Sequence, residues 1–327
     1  MIRIGFIGTG GMGRAQAVAF SKLGDCKIVA AADPSEKSRE LFAAAHPHAD
    51  LYSNYEDLLR DSRVDAVVVA TPTSHHPEPT IAALRAGRPV LLEKPLARTV
   101  EQCRRLIEVA DETKKLLMIA HCRRFDPDWG VFAESFRSGQ LGPQVLWRFS
   151  RGGKSQGGWY MDDAIGGGPL FDGAIHNIDF ANFLFGRAES VMGTAMKFDN
   201  TCSAIDTGNF IIRYANGCQL VVSWSWAVHG AWLHDVLGKK ATFVFGPNGL
   251  DVPPGMNAHS LLVPSGDKKL LPFEHGDMYV NQARHFLDCI AGRAQCISPA
   301  EDAMQAVVVA EAVLKACREG SVVQIED

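Results

Sequence analysis

The 327-residue chain reads as an α/β protein of two domains: a parallel α/β domain over 1–122, then, over 123–327, an α+β domain with a large, mostly antiparallel open sheet. Three observations predict this. At roughly 100–200 residues per domain, the length accommodates two hydrophobic cores. Up to residue 120, short β-branched runs alternate with helically spaced segments, the pattern of βαβ units and a parallel sheet. After residue 122, extended runs follow one another with only turn residues between them, as in antiparallel sheets.

In the first domain, strands are expected at 2–7, 27–32, 65–70, 89–92 and 116–120, and helices at 13–23, 35–45, 78–86 and 99–114. In the second, strands are expected at 144–151, 189–198, 205–214, 217–226, 241–246 and 259–264, with helices at 169–185 and 299–318. The last helix carries start signals: Ser298 as cap, Pro299 in the first turn, and Glu301 and Asp302 facing the positive helix end. Hydrophobic residues at 46% and charged residues at 21% fit an ordinary globular chain rather than a disordered or fibrous one. Lys plus Arg number 33 against 37 Asp plus Glu, a net charge of −4 with no long basic stretch. Nucleic acid and anionic membrane are therefore not the expected partners; a small molecule is. The opening apolar run is too short for a signal peptide, and no stretch of about 18 apolar residues follows, so a cytoplasmic location and no membrane span are expected. Eight scattered cysteines without a Cys-x-x-Cys pair or zinc spacing read as reduced, buried thiols, with no metal site expected.

Glycine stands out: of 31, six fall within residues 1–24 and eight within 152–173, which directs attention to those two windows. In the first, Gly8-Thr9-Gly10-Gly11-Met12-Gly13 follows a strand and opens a helix. That is the context a Rossmann dinucleotide-binding turn requires. Gly8 permits the tight turn, Gly10 lets the backbone approach a pyrophosphate, and Gly13 allows close helix packing, while free N–H groups at the helix start attract phosphate. Asp33 ends the next strand, 20 residues after Gly13, where it can accept a ribose 2′-hydroxyl and would repel a 2′-phosphate. NAD is therefore expected over NADP, with Lys37 and Arg39 close enough to soften the preference.

Two further strands end in Ala70-Thr71-Pro72-Thr73 and Glu93-Lys94-Pro95. Carboxyl ends of strands face the ligand crevice of an open α/β sheet, so both belong near the dinucleotide. The Lys94 ammonium can hydrogen-bond a substrate oxygen; the plain alternative is a strand-end Lys paired with a Glu. In the second glycine window, a helix over 169–185 puts Asp172, His176 and Asp179 at i, i+4 and i+7, on one face. Oxidising a secondary alcohol requires removal of its hydroxyl proton as hydride leaves, a task that suits a His oriented by a carboxylate. A simple i,i+4 helix pair and a pair of metal ligands remain open as readings.

These segments together resemble the Gfo/Idh/MocA family, the glucose-fructose oxidoreductase and inositol dehydrogenase group, over nearly the whole chain. The likeness rests on 8–13, on Ala70-Thr71-Pro72 with His76, on Ala86-Gly87-Arg88-Pro89-Val90-Leu91-Leu92-Glu93-Lys94-Pro95, and on Gly166 to Asp179. It implies a Rossmann domain, then a domain whose open sheet forms a homo-oligomer interface, dimer or tetramer, and a cyclic polyol or sugar substrate oxidised to a ketone. It also implies the catalytic set Lys94, Asp172 and His176, with His176 as acid/base and the other two positioning the hydroxyl. Glu93 and Thr71 would line the nicotinamide side, Pro72 and His76 would join the cofactor contacts, and the Lys94-Pro95 bond would be cis. Arg123, in a segment similar to polyol dehydrogenases, would lie near substrate; its alternative is a solvated pair with Arg124. Trp159, in a 150–163 stretch without a clear family counterpart, is the remaining substrate-contact candidate. Ala174 departs from the glycine common in the family. Two other activities fit the same cofactor site: oxidation coupled to elimination, as in NAD-dependent glycosidases, and a non-catalytic dinucleotide- and sugar-sensing regulator.

Overall fold

The computed structural model describes residues 1–155, 157–230, 232–246 and 257–326. They fall into two units, Met1–Phe125 with Asp277–Met304, and Asp126–Gly276 with Gln305–Asp327. The single division expected at 122/123 is thus replaced by a chain that returns to its first unit.

In the first unit the order is β1 (Ile2–Ile7), α1 (Gly11–Ser21), β2 (Cys26–Ala32), α2 (Glu36–Ala45), β3 (Asp50–Tyr52), α3 (Tyr55–Arg60), β4 (Ala66–Val69), α4 (Pro77–Arg85), β5 (Val90–Glu93), α5 (Val100–Thr113) and β6 (Leu117–Ala120). The six strands are parallel in the order β3-β2-β1-β4-β5-β6. This is the Rossmann order, and it places the loops after β1 and β4 at the switch point where ligands bind. The sequence reading missed the short β3 and α3.

The second unit contains α6 (Pro127–Arg137), β7 (Val145–Gly152), α7 (Ile175–Phe185), β8 (Ala188–Met196), β9 (Thr207–Tyr214), β10 (Gln219–Ser225), β11 (Leu233–Gly238), β12 (Thr242–Val244), β13 (Ala258–Leu262) and β14 (Lys268–Pro272). The chain closes with α8 (Met278–Ile290) in the first unit, α9 (Ala300–Glu319), whose first residues belong to the first unit and the rest to the second, and β15 (Val322–Gln324). The sheet runs β14-β13-β12-β11-β7-β10-β9-β8-β15 and is antiparallel except for the β7–β10 pair. Alternation sorts its faces: Trp147, Phe149, Phe210, Ile212, Leu220, Val222 and Trp224 are buried, while Arg148, Ile211, Arg213 and Val221 on the other face are not. The buried face meets α6 and α7 through edge-on rings, with Phe132 5.2 Å and Phe180 6.3 Å from Trp147.

Helix α8, unread in the sequence, returns because Ala283, Phe286, Leu287 and Ile290 form an i, i+3, i+4, i+7 stripe. The first three are buried in the core of the parallel sheet with Ile4, Phe6, Phe20 and Met118, and Phe286 lies edge-on to Phe20 at 6.4 Å. Arg284 forks onto Asp25 at 2.6 and 2.8 Å.

Candidate active site

The loop between β1 and α1 is built by contacts that only glycine permits. Gly8 has φ +90°, and a Cβ there would lie 2.6 Å from the Ala70 carbonyl oxygen. A Cβ on Gly13 would sit 2.0 Å from the Gly8 carbonyl oxygen. Gly10 and Gly11 differ: a Cβ on either meets nothing within 4 Å. The loop is thus clamped at its ends by the protein and open in the middle, a shape that fits a pyrophosphate approaching the start of α1. Thr9 is fully buried, and its N–H donates to Asp33 Oδ2 at 2.8 Å. Ser35 N–H donates to the other oxygen at 2.8 Å. A carboxylate has about four acceptor positions, so Asp33 retains capacity for a ribose hydroxyl. Arg39 is turned onto the carbonyls of Asp33 and Pro34 at 2.6 and 3.1 Å, which commits part of its fork to the backbone.

The ends of β4 and β5 meet at His76. Its Nδ1 lies 2.8 Å from the Pro95 carbonyl oxygen and its Nε2 3.0 Å from that of Thr71, and the residue is 1% exposed. Burial pulls its pKa down to about 4, against the two carbonyls that favour the charged ring and with the Lys94 charge adding to the depression. His76, expected among the cofactor contacts, lies between the loops that carry Thr71, Pro72 and Lys94, where the neutral ring donates to one of these two carbonyls. Lys94 is half-buried and its bond to Pro95 is cis. Glu93 is 6% exposed and accepts from Gln16 Nε2 of α1 at 2.7 Å, so β5 and the helix behind the glycine loop are tied together. Gln16 and Tyr279 went unnoticed in the sequence. Burial raises the Tyr279 phenol, with Cys122 and Glu93 contributing. Only Gln16, a polar side chain on the inward face of an apolar helix, carried a readable signal.

Arg123 follows β6 in a short turn, half-buried, with Nη1 3.9 Å from the Met278 sulfur. Arg124 is no part of a solvated pair: its side chain is 1% exposed and donates to the Ile297 carbonyl and Asp302 at 2.7 and 2.8 Å.

In the second unit, residues 169–185 are not one α-helix. Pro169–Gly173 form a wide turn closed by Ala174 N–H to the Pro169 carbonyl at 2.8 Å, an i to i+5 bond, and α7 starts afterwards. Asp172 lies on this turn, 5% exposed, and half-buried His176 lies in the first turn of α7. The α-helical i,i+4 spacing assumed for them is interrupted. Asp179, three residues after His176 in α7, is 1% exposed, and its charge joins burial in raising the Tyr214 phenol. Gly166 and Gly168, before the turn, pack closely against backbone. A Cβ on Gly166 would lie 2.7 Å from the Trp159 carbonyl oxygen, and one on Gly168 2.6 Å from that of Ile205. Gly173 packs under Trp224 and Trp226, where a Cβ would come within 3.0 and 3.3 Å. Trp159 is half-buried and stacked on Tyr160 at 3.7 Å. Lys94 and Arg123 belong to one unit, and Asp172, His176 and Trp159 to the other.

Replacing Asp33 with Ser is expected to raise KM for NAD about tenfold or more, since a charge-assisted hydrogen bond contributes roughly 1.5–3 kcal/mol. The kcat/KM ratio of NAD to NADP should shrink as the like charge disappears. An unchanged ratio would restrict Asp33 to anchoring the Thr9 N–H.

A family described as an oxidoreductase family with an NAD-binding Rossmann fold matches residues 2–121, and the GFO/IDH/MocA C-terminal domain matches residues 133–249. The chain is 27% identical to inositol 2-dehydrogenase of Rhizobium meliloti (strain 1021) over 338 residues, covering 97% of each protein. It is 25% identical to scyllo-inositol 2-dehydrogenase (NADP(+)) of Bacillus subtilis (strain 168), covering 86% of this chain and 84% of that one. The crystal structure of a protein assigned as a myo-inositol dehydrogenase from Sinorhizobium meliloti 1021 superposes with a TM-score of 0.82 at 26% identity, covering all of both chains. With both of its halves matched, the chain belongs to the Gfo/Idh/MocA family of NAD-binding oxidoreductases.

Proposed function

We propose that this protein is an NAD-dependent dehydrogenase that oxidises a secondary hydroxyl of a cyclic polyol or sugar, inositol-like in shape, to a ketone. The observation that carries the reading is likeness to an inositol 2-dehydrogenase across 97% of both proteins, in a chain that holds the glycine cradle, Asp33, Lys94, Asp172 and His176. Bound in the cradle, NAD supplies the hydride acceptor. The chain's residues handle the proton: His176 takes it from the hydroxyl, and Asp172 orients the imidazole and balances its charge. The Lys94 ammonium donates to the same oxygen and stabilises the negative charge that develops as the proton leaves. Glu93, Thr71 and Pro72 shape the nicotinamide side, and Arg123 and Trp159 contact the remaining hydroxyls and the ring face.

The finer features of the reading have their own support. The open face of the large sheet, with Ile211, Val221 and exposed Met192 on it, suits pairing of two copies into a homo-oligomer. Among the described residues no helix is long and apolar enough to cross a membrane, and all eight cysteines are free, which suits the reducing cytoplasm.

The test is a panel of inositols and monosaccharides offered with NAD or NADP. Reduced dinucleotide should accumulate in equal amount with a ketone, faster with NAD. Absence of reduction with every polyol, or turnover without net reduction, would replace this reading by a sensor or a redox-neutral elimination.

A further inference from the structure

Outside the nucleotide loops, three soft donors converge at the far end of α8. His285 and Cys289 are four residues apart on this helix and project one above the other, with Nε2 and Sγ 3.4 Å apart. The loop after α8 folds back and brings in Cys296, so that the imidazole nitrogen and both sulfurs lie within 4.8 Å of one another. We propose that His285, Cys289 and Cys296 form a binding site for a thiophilic d10 cation of the Zn²⁺ type, with the fourth position left to water.

Distances and donor chemistry favour such an ion. With bonds of about 2.3 Å to sulfur and about 2.0 Å to nitrogen, donors around tetrahedral zinc stand roughly 3.5–3.8 Å apart. The His285–Cys289 edge already has nearly that length, and the widest edge needs to close by about 1 Å. Two thiolates and an imidazole select zinc or copper(I) over magnesium or calcium, which require oxygen ligands. Phe125 packs against the His285 ring at 5.3 Å and fixes its direction, and the Ile297 N–H that donates to His285 Nε2 at 3.2 Å has to give way when the ion takes that lone pair. All three residues are only half-buried, so an ion can enter from solvent.

The ion would join α8 to the loop that Ser298 fastens to β6, through its hydroxyl to the Ile119 carbonyl at 2.8 Å and through its own carbonyl, which accepts Ile119 N–H at 3.0 Å. That loop also holds Arg124 through Ile297. The role is structural, to stiffen the ground behind the end of β6.

The test uses the full-length reduced protein, stripped with chelator and titrated with Zn²⁺ against a chromophoric competitor, with Co²⁺ as the spectroscopic probe. One ion per chain and a sulfur-to-cobalt charge-transfer band are expected. Affinity should fall at least about 100-fold in C289S, C296S and H285Q, since even outer-shell partners are worth about 10–100-fold. NAD binding by each variant reports that it has folded. Absence of the thiolate band in the wild type, or zinc uptake unchanged in the C289S/C296S double variant, would overturn the proposal, as would a reduced protein that takes up no metal and merely forms a Cys289–Cys296 disulfide on oxidation.

Discussion

Replacing His176 with Ala is expected to lower kcat by about 10²–10⁴, the contribution of a positioned general base, with little change in the affinity for NAD. The two quantities separate because the glycine loop, Asp33 and His76 all belong to the first unit, whereas His176 stands in the first turn of α7 in the second. On the proposed mechanism Lys94→Met should lower kcat as well, since Lys94 would be the cation that stabilises charge on the reacting oxygen. On the same mechanism Asp172→Asn should fall between wild type and His176→Ala, because it would leave the imidazole in place but weaken its orientation. Steady-state rates and cofactor binding by fluorescence check all three. A His176→Ala enzyme with undiminished kcat would move the base to another residue.

The glycine loop provides the second large effect, and its four glycines should split into two classes. Gly8→Ala forces a side chain into φ +90° and within 2.6 Å of a backbone carbonyl oxygen, and Gly13→Ala places a methyl 2.0 Å from another. Neither neighbour is a flexible side chain that can move away. Each variant should lose about 2 kcal/mol or more of stability, visible as a lower Tm, and lose NAD binding with it. Gly10→Ala and Gly11→Ala meet only open space in the protein. Their stability should change by less than about 0.5 kcal/mol, while the dissociation constant for NAD rises about tenfold, because the added methyl occupies the path of the pyrophosphate. A Gly10→Ala protein that binds NAD normally would remove that loop from the cofactor site.

The parallel half was legible because its signals are local. A strand, a glycine turn and a helix follow one another within Ile2–Ser21, and Asp33, Thr71, Glu93 and Lys94 each end a run of β-branched or apolar residues. What escaped depends on packing between distant segments. The Ala283–Ile290 stripe was diluted by Arg284, His285 and Asp288, and only its burial against Phe20 distinguishes it from a polar helix. Helix α6 did announce itself, with Asp126 as cap and Pro127 in the first turn, and this signal was overlooked. The wide turn at Pro169–Gly173 could not be read from helical periodicity, since its extra residue is set by contacts of Gly166, Gly168 and Gly173 with backbone and rings elsewhere in the unit. The cysteines looked scattered because a thiol pair with six residues between its members matches no common spacing; the His at i−4 of Cys289 was the available clue.

The most direct measurement of hydride transfer from a polyol uses an inositol carrying deuterium on the carbon that is oxidised. After turnover with NAD, mass spectrometry of the dinucleotide should find one deuterium per ketone formed, with the rate slowed where transfer limits it. Label lost to solvent, or returned to the carbohydrate product without net reduced dinucleotide, would contradict a simple dehydrogenase and point to oxidation followed by elimination and re-reduction.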